Sequence, residues 1–522
     1  MTAKLAAVIA LAGLLRPAHA DVSLPAYYGS GMVVQRDIPI LLRGKAAPGE
    51  EIQVSQGDAG ARAKTGPDGK WSAQLTALPA GPVPDIVIEG NNRIVLTDLL
   101  AGDVWFAAGQ SNMEFKLRRA AGADAEIYKA QNDQIRLFKV GRQIAKEPRE
   151  DVYGKWQRCT PESAAEFSAV AYFFARDMQR ESGVPIGVIC SAWGGTPGEA
   201  WLAPDLMRND PDYAGLYAGW EDYRRNYAEI KRRYEADMAA YEKKMKDPRE
   251  SGQRLPAKPL SKPHPDDNPK YPGVLFNGMV HPLAGLPIKG FLWYQGESNK
   301  DRYAQYRKLL TSLINDWRGR WGRGDLPFLI VQLANFKPPS AQPSDSGRTR
   351  VREAQAQVAG SLPNCALAVT IDLGEADDIH PLNKEDVGKR LALAALEKVY
   401  ARDLVGSGPV ARNVKFDRGE AVVEFASTGG GLVSGRDGTG GELSGFALAG
   451  EDRKWHWARA RIDGTRVIVS SAEVAAPVAL RYAWADNPPA SLYNKEGLPA
   501  SPFRSDDWPM PEDASGKDGP PE

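Results

Sequence analysis

Residues 104–113 read VWFAAGQSNM, an apolar run that passes directly into a polar loop containing glycine. More runs rich in Val, Ile, Leu and aromatic residues follow, separated by segments with the apolar spacing of amphipathic helices. The runs are residues 104–107, 186–191, 288–294, 328–333 and 367–371. Buried strands that alternate with helices are typical of βαβ units and of a mainly parallel sheet. We therefore predict an α/β domain over residues 101–402.

Both flanks of this domain have a different pattern. Residues 21–100 contain short β-rich runs, separated by turns such as Ala-Pro-Gly at 47–49 and Pro-Asp-Gly at 67–69. The same pattern returns over residues 403–510, where the turns are rich in glycine. We predict that an N-terminal and a C-terminal β-sandwich domain flank the α/β domain.

An insertion interrupts the α/β pattern at about residues 205–272. Its first half repeats aromatic and apolar residues at steps of three and four from Trp220 to Tyr241, which predicts one long amphipathic helix. The tyrosines of this stripe could line a sugar groove, but a packed or self-associating face is the commoner use. The second half, residues 248–272, is rich in Pro, Lys and Asp and predicts a surface loop with little regular structure.

The two ends of the chain suggest export and a polar tail. Residues 1–20 contain Lys4, an apolar run over residues 5–15 and the ending Ala-His-Ala, a pattern typical of a secretory signal peptide. The run is shorter than the roughly 20 residues that span a bilayer, and no later run reaches that length. We predict an exported protein, periplasmic or secreted, with no membrane insertion after cleavage. Residues 511–522 are predicted to be disordered.

Charge and cysteine content narrow the class of function. Lys plus Arg and Asp plus Glu each total 66, so no net field attracts nucleic acid. The three cysteines, Cys159, Cys190 and Cys365, form no Cys-x-x-Cys pair of the kind that binds zinc, although one disulfide is possible. We predict a buried, inert thiol at Cys190 and neither a metal nor another cofactor. The oligomeric state stays open.

Ser111 lies in the loop that follows the first strand of the predicted sheet. In an open α/β sheet, such loops lie beyond the carboxyl ends of the strands, where ligands bind. A serine hydroxyl becomes nucleophilic when a base takes its proton and N–H groups bind the developing oxyanion. The five residues of the loop fit a nucleophile and a plain helix N-cap equally well.

His380 is the best candidate for the base. It follows the predicted strand at residues 367–371 and has Asp377 and Asp378 beside it, a context that no other histidine of the chain shares. A carboxylate would fix the imidazole tautomer and stabilise the imidazolium ion. We favour Asp378, with Asp377 as the alternative. The contrary interpretation is a surface histidine with incidental acidic neighbours.

Two more loops follow predicted strands, at residues 192–197 and 295–299. A glycine lets a backbone N–H approach a tetrahedral oxygen closely, and a side-chain amide can add a further donor. We predict an oxyanion hole formed by Ser111, Gly195 and Gln295. The alternative is that the glycines only permit a tight turn and that Gln295 satisfies backbone groups.

Taken together, four short motifs occur in a familiar order. GQSNM at 109–113, WGGT at 193–196, WYQGESN at 293–299 and DIHP at 378–381 resemble the sialate O-acetylesterase family of the SGNH hydrolase superfamily. GMVVQR at 31–36 and YAWADNP at 482–488 are similar to that family too. The resemblance implies a flavodoxin-like hydrolase domain between β-sandwich domains. It also implies that carbohydrate O-acetyl esters are hydrolysed through a serine acyl-enzyme without a metal.

The resemblance assigns residues by their motifs. Ser111 matches the nucleophile and His380 the base, while Gly195 and Gln295 fall in the oxyanion-hole blocks. The superfamily usually has its acid three residues before the histidine, at Asp377, whereas relatives of this family resemble the spacing of Asp378. A Ser–His dyad oriented by a backbone carbonyl stays open as well.

The substrate is an acetylated carbohydrate on this reading. Similar proteins act on sialic acids, and others act on plant polysaccharides such as xyloglucan or xylan. We predict that the remaining polar and aromatic residues of the motifs contact the substrate, namely Gln110, Asn112, Trp193 and Glu297.

Parts of the sequence are also compatible with two functions other than an esterase. Glu297 ends a strand in an aromatic setting, so it could serve a glycoside hydrolase, with Asp372 as the nearest second carboxylate. Two sandwich domains could also form a non-enzymatic carbohydrate-binding protein, although this leaves the residues at the strand ends unexplained. Sugar binding without ester turnover would favour the latter.

Overall fold

The computed structural model describes residues 21–245 and 258–509. The predicted signal peptide, residues 1–20, and the predicted disordered tail, residues 511–522, lie outside the described residues. Both therefore stay predictions. None of the helices in the described part of the chain is both long enough and apolar enough to cross a membrane.

The N-terminal part consists mainly of short antiparallel strands. The strands are β1 Val33–Gln35, β2 Ile40–Lys45, β3 Glu51–Gln56, β4 Ala59–Lys64, β5 Lys70–Leu75, β6 Gly81–Val83, β7 Ile86–Glu89 and β8 Arg93–Leu96. In β5, Trp71, Ala73 and Leu75 are buried while their neighbours are exposed, the alternation expected of a sheet with one solvated face. Strands β4, β3, β7 and β8 form one sheet in this order, and β2 pairs with β5.

The central sheet has the order β11-β10-β12-β9-β13-β14-β15. Its strands are β9 Leu99–Gly109, β10 Asn132–Lys139, β11 Trp156–Cys159, β12 Ile186–Ala192, β13 Gly290–Tyr294, β14 Phe328–Val331 and β15 Cys365–Ala368. All pairs along this order are parallel except β10 with β11. The predicted α/β fold with a parallel sheet and flanking antiparallel sheets is confirmed.

Two features of this sheet differ from the sequence-based expectation. Strands β10 and β11 were not predicted, because the first residues of β10, Asn132, Asp133 and Gln134, are polar and β11 has only four residues, two of them polar and exposed. Strand β9 crosses the predicted domain boundary at residue 100. Its first residues pair with β1 and β6 of the N-terminal part, and its later residues pair with β12 and β13.

Helices cover both faces of the central sheet. The helices are α1 Ser111–Glu114, α2 Ala123–Tyr128, α3 Pro161–Ala165, α4 Ala169–Ser182, α5 Asp205–Arg208, α6 Ala214–Arg225, α7 Tyr227–Met245, α8 Tyr303–Trp321, α9 Gly347–Ser361 and α10 Glu385–Lys398. Successive residues of β9 face opposite sides, as the pleat requires. Trp105 and Ala107 belong to the core cluster that contains residues of α4 and α10, whereas Phe106 belongs to the cluster that contains residues of α8 and α9.

The stretch from Trp220 to Tyr241 is divided between two helices, α6 and α7, rather than forming the single long helix predicted. Asn226 separates α6 from α7, and its backbone N–H donates to the Asp222 carbonyl at the end of α6. Its own carbonyl accepts the first hydrogen bonds of α7, from Glu229 and Ile230. Asparagine favours helix ends because its side chain competes for backbone groups. The prediction of one continuous helix was therefore wrong.

The second half of the insertion was predicted to have little regular structure. Residues 246–257 lie outside the described part of the chain. Over residues 258–272 the structure shows a single short 3-10 turn, Pro265–Asp267.

The C-terminal part contains two four-stranded antiparallel sheets, in the orders β16-β17-β22-β21 and β20-β19-β23-β25, and the pair β18–β24. The strands are β16 Val410–Asp417, β17 Glu420–Ala426, β18 Leu432–Ser434, β19 Phe446–Ala449, β20 Trp455–Trp457, β21 Arg459–Asp463, β22 Arg466–Ser470, β23 Ala479–Tyr482, β24 Leu492–Asn494 and β25 Phe503–Arg504. One shared core, which includes Val423, Val467, Leu448 and Tyr482, joins the two larger sheets.

A buried arginine connects the C-terminal part to the central sheet. The guanidinium of Arg352, on α9, donates to the carbonyls of Leu333 and Ala334 at 2.9 and 2.8 Å. It also donates to the carbonyls of Ala485 and Asp486 at 2.6 and 2.8 Å. Burial lowers the pKa of Arg352 to about 9. A single side chain thus connects the segment after β14 to the segment after β23.

Candidate active site

Loops that carry the predicted site residues lie at one edge of the central sheet. Ser111 follows β9, Gly195 follows β12, Gln295 follows β13, and His380 lies beyond β15. The chain leaves β9 toward β10 and β12 on one side and later crosses to β13 on the other. The crevice at the end of β9 is therefore the topological switch point, where ligands bind in open α/β sheets.

Ser111 and His380 are in direct contact. The Oγ atom of Ser111 lies 2.8 Å from the Nε2 atom of His380. The turn before Ser111 requires glycine, because Gly109 has φ 145° and a Cβ there would lie 2.1 Å from the Tyr294 carbonyl oxygen. A histidine nitrogen at this distance can take the serine proton.

Of the two candidate acids, Asp378 lies beside the imidazole. Its Oδ1 atom is 3.4 Å from Nδ1 of His380 and accepts the His380 backbone N–H at 2.8 Å. The Nδ1 distance exceeds the usual range of a hydrogen bond. In the part of the chain that the structure describes, Asp377 is exposed and makes no contact with His380.

Two backbone N–H groups, in the loops after β9 and β12, could bind an oxyanion. Neither Ser111 N–H nor Gly195 N–H has an acceptor within residues 21–245 and 258–509. Gly195 has φ 73°, in the left-handed region. Its neighbour Gly194 donates its N–H to Glu114 at 2.8 Å and lies against Ser111, since a Cβ on Gly194 would be 3.2 Å from the Ser111 Cβ. This loop therefore reaches the nucleophile directly.

Gln295 lies at the predicted position, but its side chain has other partners. The amide nitrogen donates to the Thr196 carbonyl at 3.3 Å and to Asn299 Oδ1 at 2.7 Å. The Tyr306 hydroxyl donates to its amide oxygen at 3.0 Å. Both N–H groups of the fully buried amide are engaged, so it connects neighbouring loops. The predicted role of Gln295 as an oxyanion-hole donor therefore finds no support in these contacts.

Comparisons with known proteins indicate the family of this chain. Residues 273–397, which include β13 and α10, match the family model described as carbohydrate esterase, sialic acid-specific acetylesterase. A carbohydrate acetylesterase from Xanthomonas citri has a crystal structure that matches with a TM-score of 0.78 and 37% sequence identity, covering 94% of this chain and 100% of that chain. This chain belongs to the sialate O-acetylesterase family.

Mammalian proteins are similar over nearly the whole chain. The sialate O-acetylesterase of Mus musculus is 28% identical, over 95% of this chain and 96% of its own length. That of Homo sapiens is 27% identical, over 94% of this chain and 93% of its own length. Membership of the sialate O-acetylesterase family makes this protein a carboxylic ester hydrolase, and it rejects the non-enzymatic interpretation.

Of the predicted substrate contacts in this esterase, Trp193 is the one that is partly open to solvent. Arg142 lies over the Trp193 ring, 5.1 Å from its centroid, and is ion-paired with Glu114. Gln110 is buried, and its amide oxygen accepts the N–H groups of Gly296 and Ser298, both at 3.3 Å. Gln110 therefore fixes the loop after β13 next to the nucleophile.

Asn112 and Glu297 are buried and bind each other. The amide nitrogen of Asn112 donates to Glu297 Oε1 at 2.6 Å and to the Ile379 carbonyl at 3.1 Å. Both side chains thus lie beneath the Ser111–His380 pair in this esterase. Their predicted contact with substrate finds no support in these positions.

Sequence reasoning missed Lys384, the N-cap residue of α10. Its Nζ atom donates to Asn112 Oδ1 and to the Pro381 carbonyl, both at 2.7 Å. Burial lowers the pKa of the Lys384 ammonium to about 7, and the Glu297 carboxylate opposes this shift. A lysine at a helix start gives no signal in a single sequence that it is buried.

The remaining sequence predictions concern acids, metals and thiols. Asp372 accepts hydrogen bonds from Arg390 at 2.6 and 2.7 Å and from the Tyr493 hydroxyl at 3.2 Å, so its carboxylate is engaged in structural contacts rather than free for the role of a second catalytic acid. Among the described residues, no group of three or more His, Cys, Asp or Glu could hold a metal ion. The three cysteines are free and buried, and burial raises the pKa of Cys190 to about 12.

Proposed function

We propose that this protein removes O-acetyl groups from carbohydrates through a serine acyl-enzyme. The observation that carries the proposal is the 2.8 Å contact between Ser111 Oγ and His380 Nε2 at the switch point of the sheet. Two backbone N–H groups without an acceptor in the described part of the chain lie in the Ser111 loop and in the loop after β12, which suits a reaction that passes through a tetrahedral oxyanion.

In the first half of the proposed reaction, His380 takes the Ser111 proton while Oγ attacks the acetyl carbonyl carbon. The negative charge that develops on the carbonyl oxygen is bound by the N–H groups of Ser111 and Gly195. The intermediate then collapses, the bond to the sugar oxygen breaks, and the protonated His380 gives its proton to that oxygen. The deacetylated sugar leaves, and the acetyl group remains on Ser111.

In the second half, water replaces the sugar. His380 takes a proton from the water, whose oxygen attacks the acetyl carbonyl of the acyl-enzyme. Collapse of the second tetrahedral intermediate breaks the bond to Ser111 Oγ, and His380 returns the proton to that oxygen. Acetate is released and the enzyme is regenerated.

Asp378 is proposed as the group that orients His380, and its contribution can be measured. Because the Nδ1 to Oδ1 distance is 3.4 Å and Asp378 is half-exposed, we expect Asp378→Asn to lower kcat less than loss of a buried triad acid, which costs about 10⁴-fold. A fall of about 10- to 100-fold is expected. Asp377→Asn, the matched control one residue earlier in the same loop, should retain its kcat. A larger loss in Asp377→Asn would reverse the assignment.

We propose O-acetylated sialic acid as the substrate. The support is the description of the matched family model and the names of the mammalian relatives, which cover this chain almost completely. The Xanthomonas citri relative is described only as a carbohydrate acetylesterase. Acetylated plant polysaccharide is therefore the comparison substrate.

The deciding experiment measures acetate release from O-acetylated sialic acid and from acetylated xyloglucan in parallel, with Ser111→Ala as the control. We expect faster release from the sialic acid and none above background in the variant. Release from xyloglucan alone would replace the substrate and leave the chemistry in place. Equal release by Ser111→Ala would refute the serine mechanism.

A further inference from the structure

A buried set of hydrogen bonds lies beneath the Ser111–His380 pair. Lys384 Nζ donates to Asn112 Oδ1 at 2.7 Å, and Asn112 Nδ2 donates to Glu297 Oε1 at 2.6 Å. The three side chains come from the start of α10, from α1 and from the loop after β13. The Asn112 amide thus links the Lys384 ammonium to the Glu297 carboxylate, although the three residues belong to different elements. We call these three residues the buried network.

The buried network also donates hydrogen bonds to the backbone on both sides of His380. Asn112 Nδ2 donates to the carbonyl of Ile379 at 3.1 Å, and Lys384 Nζ donates to the carbonyl of Pro381 at 2.7 Å. Ile379 and Pro381 are the neighbours of His380 in the sequence. Asn112 is in turn the neighbour of Ser111. Asn112, the residue after the nucleophile, is therefore hydrogen-bonded to the backbone just before His380.

Aromatic contacts add to this connection. The Lys384 ammonium lies 4.8 Å from the centroid of the Phe115 ring. The same Phe115 ring stacks against the His380 imidazole, with centroids 6.5 Å apart and planes 26° apart. Lys384 therefore touches both the backbone next to His380 and the ring on which its imidazole rests.

The hydrogen-bond partners of Asn112 fix the orientation of its amide. Its amide oxygen must face the Lys384 ammonium and its nitrogen must face the Glu297 carboxylate, because the reverse would oppose like partners. The second carboxylate oxygen of Glu297 has no partner among the described residues. A buried carboxylate and a buried ammonium are costly to maintain, which argues that they serve more than packing.

The 3.4 Å distance from His380 Nδ1 to Asp378 Oδ1 is too long for Asp378 to hold the imidazole firmly on its own. We propose that Asn112, Glu297 and Lys384 are positioning residues that keep His380 Nε2 within reach of Ser111 Oγ. This inference rests on the proposed serine mechanism. In this esterase, the buried network carries out part of the orienting task that a buried triad acid performs elsewhere.

Lys384→Met tests the proposal, with Lys389→Met as the matched control. Lys389 lies on the same helix and is exposed, away from the buried network. With p-nitrophenyl acetate as substrate, we expect Lys384→Met to lower kcat by about 100-fold, the effect of a misplacement of about 1 Å, with KM changed less than twofold. Lys389→Met should keep both constants. An unchanged kcat in folded Lys384→Met would overturn the proposal.

A second readout separates positioning from a merely structural role. Phenylmethylsulfonyl fluoride sulfonylates an activated serine, so its rate of inactivation reports the nucleophilicity of Ser111 without any sugar contact. This rate should fall in Lys384→Met by the same factor as kcat. A normal inactivation rate together with a low kcat would also overturn the proposal.

Further variants cover the case in which Lys384→Met does not fold. Lys384→Gln keeps a neutral donor of similar length, and we expect a kcat between those of the wild type and a network knockout such as Asn112→Ala. Asn112→Ala and Lys384→Gln combined should lose little more than Asn112→Ala alone, because both act on the same loop. Fully additive losses would reject the network. Activity that survives in Ser111→Ala would instead reject the serine mechanism itself.

Discussion

Ser111→Ala is expected to lower kcat by about 10⁴- to 10⁶-fold, the range in which loss of an acyl-enzyme nucleophile falls. The Ser111 hydroxyl is the atom that would form the covalent bond to the acetyl group, and its hydrogen-bond partner is the His380 nitrogen at 2.8 Å. Alanine leaves both oxyanion donors in place but removes the attacking oxygen. Acetate release from an O-acetylated sugar, followed at saturating substrate, measures the effect.

The fold should tolerate the Ser111→Ala change. Ser111 is half-buried, and in the described part of the chain its side chain bonds only to His380. The melting temperature of the variant should therefore stay close to that of the wild type. The expected loss is about 10⁴-fold or more. If the variant keeps more than about one per cent of the wild-type kcat, Ser111 is not the nucleophile.

His380→Ala should cause a loss of similar size, because a serine without its base cannot shed its proton in the transition state. Residues that act as one unit have strongly non-additive effects. The double variant Ser111→Ala/His380→Ala should therefore be no slower than either single variant within about threefold.

The comparison of the three variants is the measurement. Equal residual rates would place Ser111 and His380 in one catalytic unit. Losses that multiply in the double variant would mean that His380 acts independently of Ser111, for example by binding the sugar. His456→Ala is a suitable control, since His456 lies in β20, away from the site, and pairs with Glu473.

The sequence was sufficient to predict that Ser111, Gly195 and His380 lie in loops at one edge of the sheet. Ser111, Gly195 and His380 were each predicted because a polar loop followed an apolar run, and parallel strands bring such loops to one edge. The observed contact between Ser111 and His380 spans 269 positions of the chain. No local pattern shows that contact, and the strand order supplies it.

The direction of side chains could not be predicted in the same way. The Gln295 amide bonds to Thr196, Asn299 and Tyr306, partners that converge only in the folded chain. Lys384 appeared to be an ordinary charged residue at a helix start, yet it is fully buried. Burial and hydrogen-bond direction are set by tertiary packing, on which a motif carries no information.

The break at Asn226 illustrates a similar limit. The apolar spacing continues on both sides of it, so a period count predicts a single helix. The backbone nevertheless leaves the helical path for one residue and starts again. Periodicity identifies the helical faces, whereas one residue with a preference for helix ends decides where the helix stops.

The contacts of Arg352 and Asp372 bear on how this fold can be recombined. Arg352 is buried against carbonyls of Ala485 and Asp486, and Asp372, at the start of the loop that leads to His380, accepts a hydrogen bond from Tyr493. The C-terminal sheets thus help to hold the loop that carries His380. A chimera that exchanged this domain for an unrelated sandwich would leave the buried Arg352 guanidinium with only the Leu333 and Ala334 carbonyls as acceptors. Recombination that preserves function should therefore transfer the hydrolase domain and the C-terminal domain together.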